Sequence, residues 1–217
     1  MERFNEIRGL YDIWDDSFGI AEEIISRRER YLGKRLPEIL RQYYLQVGNN
    51  KQINQTQDNL VLPTELDIYE DGFAIIYYEN QVVWEAGIKD SDFEQDNPNV
   101  YLSYDQESWE FEIGNLFNFL TAEAFLQALF ALPFSSNACN VGTEEELFIH
   151  QTWKESSFKS YLWGIEFFQN SSDEILALMK HDNQTDVFIA TNTEKHFLEM
   201  IEKLKIDWDN NSLKTND

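Results

Sequence analysis

Two helices placed back to back, with a stop written between them, occupy Ile20 to Asn50 and constrain this chain's fold more than any other stretch. Ile20, Ile24, Tyr31 and Leu32 recur near helical spacing with Glu22, Glu23, Arg27, Arg28 and Arg30 between them, so the first helix is expected to bury that stripe. Gly33 ends it, because glycine enters the left-handed cap conformation without a Cβ penalty. Lys34 and Arg35 follow where the negative end of the helix dipole attracts cations. Pro37 opens the second helix, since the N–H that proline lacks has no intrahelical partner in a first turn. Leu36, Leu40, Tyr43, Tyr44 and Val47 form its apolar stripe, and Gly48-Asn49-Asn50 closes it.

Upstream, Phe4, Ile7, Leu10, Tyr11 and Trp14 space an amphipathic helix ending at Asp15-Asp16. Residues 49–59, rich in Asn and Gln, carry no apolar period and read as an exposed connection. Short strands are expected at Leu60-Val61-Leu62 and from Leu66 to Tyr69, followed by a turn at Asp71-Gly72 and a strand from Phe73 to Tyr78. Glu79-Asn80 turns the chain into a returning strand from Gln81 to Glu85, and residues 89–97 form an acidic loop before Pro98. Val100 to Tyr104 and Ser108 to Ile113 make a hairpin around Asp105-Gln106, so an antiparallel sheet is the simplest assembly.

From Leu116 to Leu132 helical spacing returns, with Thr121 and Glu123 marking a second start and Pro133 a stop. Ser135 to Glu146 reads as a loop with solvated Glu144, Glu145 and Glu146. Residues 147–168 are aromatic without a clean period and stay open between helix and strand. Glu174 to Lys180 and Asp186 to Thr191 form a hairpin around His181-Asp182-Asn183-Gln184, Thr193 caps a last helix through Leu204, and residues 207–217 form a polar tail. The fold class is therefore α+β: N-terminal helices, a central antiparallel sheet, and a C-terminal helix and hairpin elaboration. Without a repeat or a Pro- or Ser-rich linker, residues 1–217 are expected to form one domain.

A chain of 217 residues that is 42% hydrophobic and 15% aromatic can bury a sizeable core. The formal charge of −23 disfavours nucleic-acid and anionic-membrane partners, both of which need Lys and Arg to neutralise phosphate, and it favours a basic protein partner. The plainer reading, that acidity keeps the chain soluble, stays open beside it. With Cys139 as the one cysteine, no intramolecular disulfide can form. The charged start Met1-Glu2-Arg3-Phe4-Asn5-Glu6 and the lack of a long apolar run point to a cytoplasmic protein.

The motifs of chemistry are missing: there is no Gly-rich phosphate loop, His-Glu-x-x-His pattern or paired cysteine. His150, His181 and His196 read as ordinary surface or partly buried histidines, not as metal ligands, and Cys139 as a buried thiol, not a nucleophile. Forty carboxylates make any single pairing uninformative. No catalytic residue, cofactor or metal is expected. Tyr77, Tyr78, Trp84, Tyr101 and Trp109 alternate along the expected strands, so some should enter the core and others the opposite sheet surface. Rings surrounded by acids suit a basic protein. The partner-binding candidates are Tyr78, Glu79, Trp84, Asp90, Asp92, Glu94, Asp96, Tyr101 and Trp109.

The run Tyr31-Leu32-Gly33-Lys34-Arg35-Leu36-Pro37-Glu38-Ile39-Leu40, then Tyr43-Tyr44 and Gly48-Asn49-Asn50, resembles the opening of SUKH superfamily domains, related to the yeast cell-wall synthesis regulator family. Tyr77-Tyr78-Glu79-Asn80-Gln81-Val82-Val83-Trp84, Gly87-Ile88, Asp96-Asn97-Pro98-Asn99-Val100-Tyr101 and Trp109 follow in the family's order. Ala86 stands where the family usually has Trp, and Asn99 replaces a second Pro. The likeness covers residues 1–132 as the family-like core, with 133–206 as the elaboration. It implies an α+β domain that binds another protein. In most bacterial members that protein is a polymorphic toxin, neutralised in the cytoplasm by stoichiometric binding; the alternative implied role is an intracellular regulatory adaptor for endogenous proteins.

Overall fold

Gly33 adopts φ +69° and receives the helix end that its position predicts, with the N–H groups of Gly33 and Lys34 both closing on the Glu29 carbonyl. The computed structural model describes residues 3–105, 107–160, 164–181 and 184–213. The expected turn residues Gln106, Asp182 and Asn183, residues Tyr161, Leu162 and Trp163 of the ambiguous stretch, and the end of the tail from Lys214 lie outside them.

The helices and first strands run α1 (Asn5–Leu10), α2 (Glu22–Leu32), α3 (Glu38–Val47), α4 (Lys51–Asn54), β1 (Asp58–Leu60), β2 (Phe73–Glu79), β3 (Glu85–Lys89), β4 (Val100–Ser103) and β5 (Glu110–Ile113). There follow α5 (Leu116–Ala131), β6 (Phe134–Ala138), α6 (Thr143–Thr152), β7 (Lys154–Ser160), β8 (Ile165–Gln169), β9 (Glu174–His181), β10 (Gln184–Thr191), α7 (Glu194–Leu204) and β11 (Asn210–Asn211). The class is α+β with antiparallel sheets throughout. No described helix is long and apolar enough to cross a membrane.

The chain divides into two compact units. The first comprises Asp15–Thr121 and the N-terminus through Phe4; the second comprises Asn5–Trp14 and everything from Ala122. In the first unit, five strands lie in the order β1-β2-β3-β4-β5. Leu36, Leu40, Tyr43, Tyr44 and Val47 are all buried, as their spacing predicts. Pro37 is the N-cap residue itself and not part of the first turn. Arg41 of α3 reaches back to Glu22 at 2.6 Å and Glu29 at 3.5 Å on α2, tying the two helices together.

In the second unit, six strands lie in the order β11-β6-β10-β9-β8-β7, and β9 is buried on both faces from Glu174 to Leu178, as is β10 from Ile189 to Thr191. Trp153, Phe197, Met200 and Leu204 pack with Leu176, Leu178, Val187 and Ile189 on one side. Phe125 meets Phe158 and Phe167 edge-on elsewhere in the same unit. The hairpin of β9 and β10 and the Thr193 cap, whose Oγ1 accepts from the His196 N–H at 3.4 Å, fall where the sequence puts them.

Other expectations are corrected. Helix α1 stops at Leu10, short of Asp15, and α5 is continuous through Thr121 and Glu123 because both are accommodated inside it. Helix α2 buries Ile25, while Ile24 and Tyr31 are 39% and 68% exposed, so the apolar stripe is turned outward. Residues 49–59 are no exposed connection: Asn50 caps α4, and Ile53, Asn54 and Asp58 are buried. Leu66 to Tyr69 is not a strand, and the strand expected at Gln81 to Glu85 instead begins at Glu85 and runs to Lys89. Ser135 to Glu146 contains β6 and the start of α6; the ambiguous stretch resolves into α6, β7 and β8. The polar tail contributes β11 to the sheet edge.

Candidate functional site

The first-unit sheet turns two chemically different faces outward and inward, and a bulge decides which residue goes where. Register shifts between Ile75 and Tyr77 on β2, so Tyr77 pairs with Ala86 and turns inward, where it is fully buried beside Phe119. Alternation then puts Tyr78, opposite Glu85, on the outer face. Gly87 pairs with Ile75 on one side and Tyr101 on the other, giving an outward row without a side chain at its centre. Trp109 fills that gap. Its indole stacks on Phe73 with centroids 4.3 Å apart and planes 9° apart, while Phe73 meets Tyr101 edge-on at 5.6 Å.

Short loops hold this aromatic platform. Asp71 accepts from the Phe73 N–H at 3.0 Å and from the Trp109 indole N–H at 2.8 Å, fixing two platform residues at once. Asp105 accepts from the N–H groups of Glu107 and Ser108 and from the Ser108 hydroxyl, and these bonds lower its carboxyl to about 2 while they shape the turn leading to Trp109. Desolvation, with the like charge of Asp71, raises the Glu85 carboxyl. Lys89 brings its ammonium 4.3 Å from the Tyr101 centroid and 5.9 Å from that of Phe73. The platform thus already accommodates a cation, the charge type that ring faces attract.

The nine sequence candidates divide into four groups. Tyr78, Tyr101 and Trp109 share the outer face and are partly exposed. Trp84 does not join them: at 2% exposure it stacks parallel to Tyr77 inside the core, just before β3 begins. Glu79 spends one carboxylate oxygen on the N–H groups of Gln81 and Val83, shaping the β2–β3 turn. Asp90, Asp92, Glu94 and Asp96 leave the sheet at the Phe73–Lys89 end, where the Asp90 N–H bonds to the Gly72 carbonyl. Their charge is partly answered within the unit, since Asp90 is ion-paired with Lys34. Glu94 and Asp96 line a groove of about 360 Å³ with Lys34, Arg35 and Phe93. Phe73, Lys89 and Asp71 are not among the nine; the Asp-Gly turn before Phe73 is the sequence signal for the first and last.

The other chemistry-bearing residues lie in the second unit. His150 stands 3.9 Å from Glu146 and 3.6 Å from Glu166, His181 is 3.8 Å from Asp186, and His196 is 2.7 Å from Asp173. Among the described residues, no group of three or more His, Cys, Asp or Glu is arranged to hold a metal. Cys139, expected to be buried, is exposed just past the end of β6. Partial desolvation and the nearby Asp186 and Asp209 raise its thiol, which makes it a poorer nucleophile at neutral pH.

Comparison with models of protein families gives no match, and the same holds for curated proteins and for solved structures.

Proposed function

We propose that this chain is a non-enzymatic, SUKH-like binding protein of the cytoplasm that neutralises a cognate bacterial toxin by stoichiometric binding. The reading is supported by the sequence resemblance and, above all, by the Phe73–Trp109–Tyr101 platform: three rings in contact on the outer face of a sheet, Tyr101 and Trp109 partly exposed over a buried Phe73, with acids at the border. Tyr and Trp give large contact area at low entropic cost, and surrounding charge raises association rate and excludes wrong partners. A basic toxin domain fits this combination. Asp92, Glu94 and Asp96 would steer it, Tyr78, Tyr101 and Trp109 would be desolvated beneath it, and Lys89 would be displaced or paired. Trp84 contributes only by supporting the sheet.

Capture from the native organism at low and high ionic strength tests this reading. The expected product is a basic protein bound one to one, held more weakly as salt rises. Trp109→Ala and the triple variant Asp92→Lys, Glu94→Lys, Asp96→Lys should each weaken that complex; the triple variant leaves Asp90 in its ion pair with Lys34. Unchanged affinity and salt dependence in both variants would remove this surface from the mechanism.

A further inference from the structure

Ile24, Arg27, Arg28 and Tyr31 form one stripe along α2, at positions i, i+3, i+4 and i+7, and that stripe faces away from the core. With Pro63 and Thr64 they line a groove of about 310 Å³ within the first unit. Arg28 is set in place on two sides: its guanidinium lies 4.6 Å from the Tyr31 centroid, and one N–H donates to the Thr64 carbonyl. A guanidinium has five donors, so an edge is left for a carboxylate. Arg27 pairs with Glu23 at 3.5 Å between two highly exposed side chains, an attachment weak enough to be exchanged. Asp67 approaches the Tyr31 hydroxyl at 3.5 Å, but the six lining residues include two guanidinium groups and no carboxylate. In a chain with 40 acids and 17 bases, the lining itself is basic, with Glu23 and Asp67 at its border.

From this we infer that the α2 groove is a second docking site, one that takes an extended acidic segment of another protein, with a branched apolar side chain seated against Ile24, Tyr31 and Pro63 and its flanking carboxylates on Arg27 and Arg28. The mixed lining favours a ligand that is both apolar and anionic, because a purely ionic one would leave Ile24 and Tyr31 uncovered. A short segment brings only its own charges within a Debye length, whereas a second copy of this chain or a nucleic acid brings a large negative charge against a molecule of −23. The site is separate from the aromatic platform and opposite in charge preference, so it stands or falls independently of the toxin-binding reading.

The test uses the full chain labelled with nitrogen-15 and the acetylated, amidated peptide Glu-Asp-Leu-Pro-Asp-Glu, titrated at low and high ionic strength. Amide shifts confined to residues 24–31 and 63–64, weakened by salt, are expected. Arg27→Glu with Tyr31→Ser should reduce affinity about tenfold or more while leaving the Arg28–Thr64 bond and the circular dichroism unchanged. Shifts elsewhere, no shifts at all, or equal binding of a peptide with lysine in place of its acids would overturn the proposal. So would dimerisation by light scattering that Arg27→Glu abolishes, since it would assign the groove to a second copy.

Discussion

Trp109 lies directly over Gly87: a Cβ built on the glycine would come within 2.7 Å of Cη2 and Cζ3 of the indole. Gly87 therefore serves the platform by its missing side chain, and the indole rests on backbone. Gly87→Ala should lift Trp109 from Phe73 and strain its bond to Asp71, costing on the order of 1 to 3 kcal/mol as an overpacking change. Urea unfolding would read the cost. Tryptophan emission should shift to longer wavelength in Gly87→Ala but not when the same change is made in a Trp109→Phe background. An unchanged spectrum in the first variant would show that the indole does not depend on the glycine.

Asp58 gives the first unit a defined response to pH. It faces Glu79 across the β1–β2 pair, and burial, with that like charge, raises its carboxyl to about 6 despite a bond from the Asn80 backbone. A carboxyl raised in the folded state stabilises the fold while protonated; that contribution is complete below the unfolded value near 3.8 and is lost as pH rises through about 6. Asp58→Asn should thus match the parent near pH 4 and exceed it above pH 7 by on the order of 2 to 3 kcal/mol. Denaturant midpoints at several pH values check this. A constant difference across the range would assign the effect to something other than ionisation.

What was legible in the sequence was chemistry that acts locally. Gly33, Thr193 and the hairpin of β9 and β10 announce themselves because a left-handed cap, a hydroxyl cap and a polar break between two apolar runs work within a few residues. The misses come from tertiary choices. Helix α2 offers Ile24 or Ile25 to the core, and only packing selects Ile25. The β2 bulge and the turn through Val82, at φ +57°, shift alternation on β2 and β3, so Trp84 goes in while Gly87 clears a place for Trp109. A strict period of two cannot express either event. Asn50 and Asn54 read as loop residues because their polarity suggests water, yet each meets its hydrogen-bond needs inside.

That internal satisfaction yields a third prediction. The Asn54 amide donates to the Val47 carbonyl at 2.7 Å and the Asn50 carbonyl at 3.0 Å, while its oxygen accepts from the Tyr43 hydroxyl at 2.9 Å. Asn54→Ala would remove three buried side-chain hydrogen bonds at once, while the Val47 and Asn50 carbonyls keep the backbone N–H groups of Asn50 and Asn54, and is expected to cost about 1 to 3 kcal/mol. Tyr43→Phe alone should cost about 1 kcal/mol, and the double variant less than the sum, because the two changes remove one shared bond. Strict additivity in the cycle would mean that the Tyr43–Asn54 bond does not form.

In the second unit, Lys180 joins α6 to the sheet through charge. Its ammonium bridges Glu146 at 2.7 Å and Glu166 at 3.1 Å, and Glu166 also holds Lys159 at 3.0 Å. Burial pushes the Glu166 carboxyl up, but its bonds to Lys159 and Lys180 outweigh that and hold it below the ordinary glutamate range. A lowered folded value means stability present above the unfolded value near 4.5 and lost as pH falls through the folded one. Lys180→Met keeps the aliphatic stem while removing the charge, leaving Glu146 and Glu166 facing each other with His150 between them. The expected loss is about 1 to 2 kcal/mol at neutral pH, discounted for the partial exposure of the lysine, and it should shrink toward zero as acid protonates the carboxylates. Thermal unfolding of the variant and parent from neutral pH down to pH 4 distinguishes this from lost packing, which would give a pH-independent deficit.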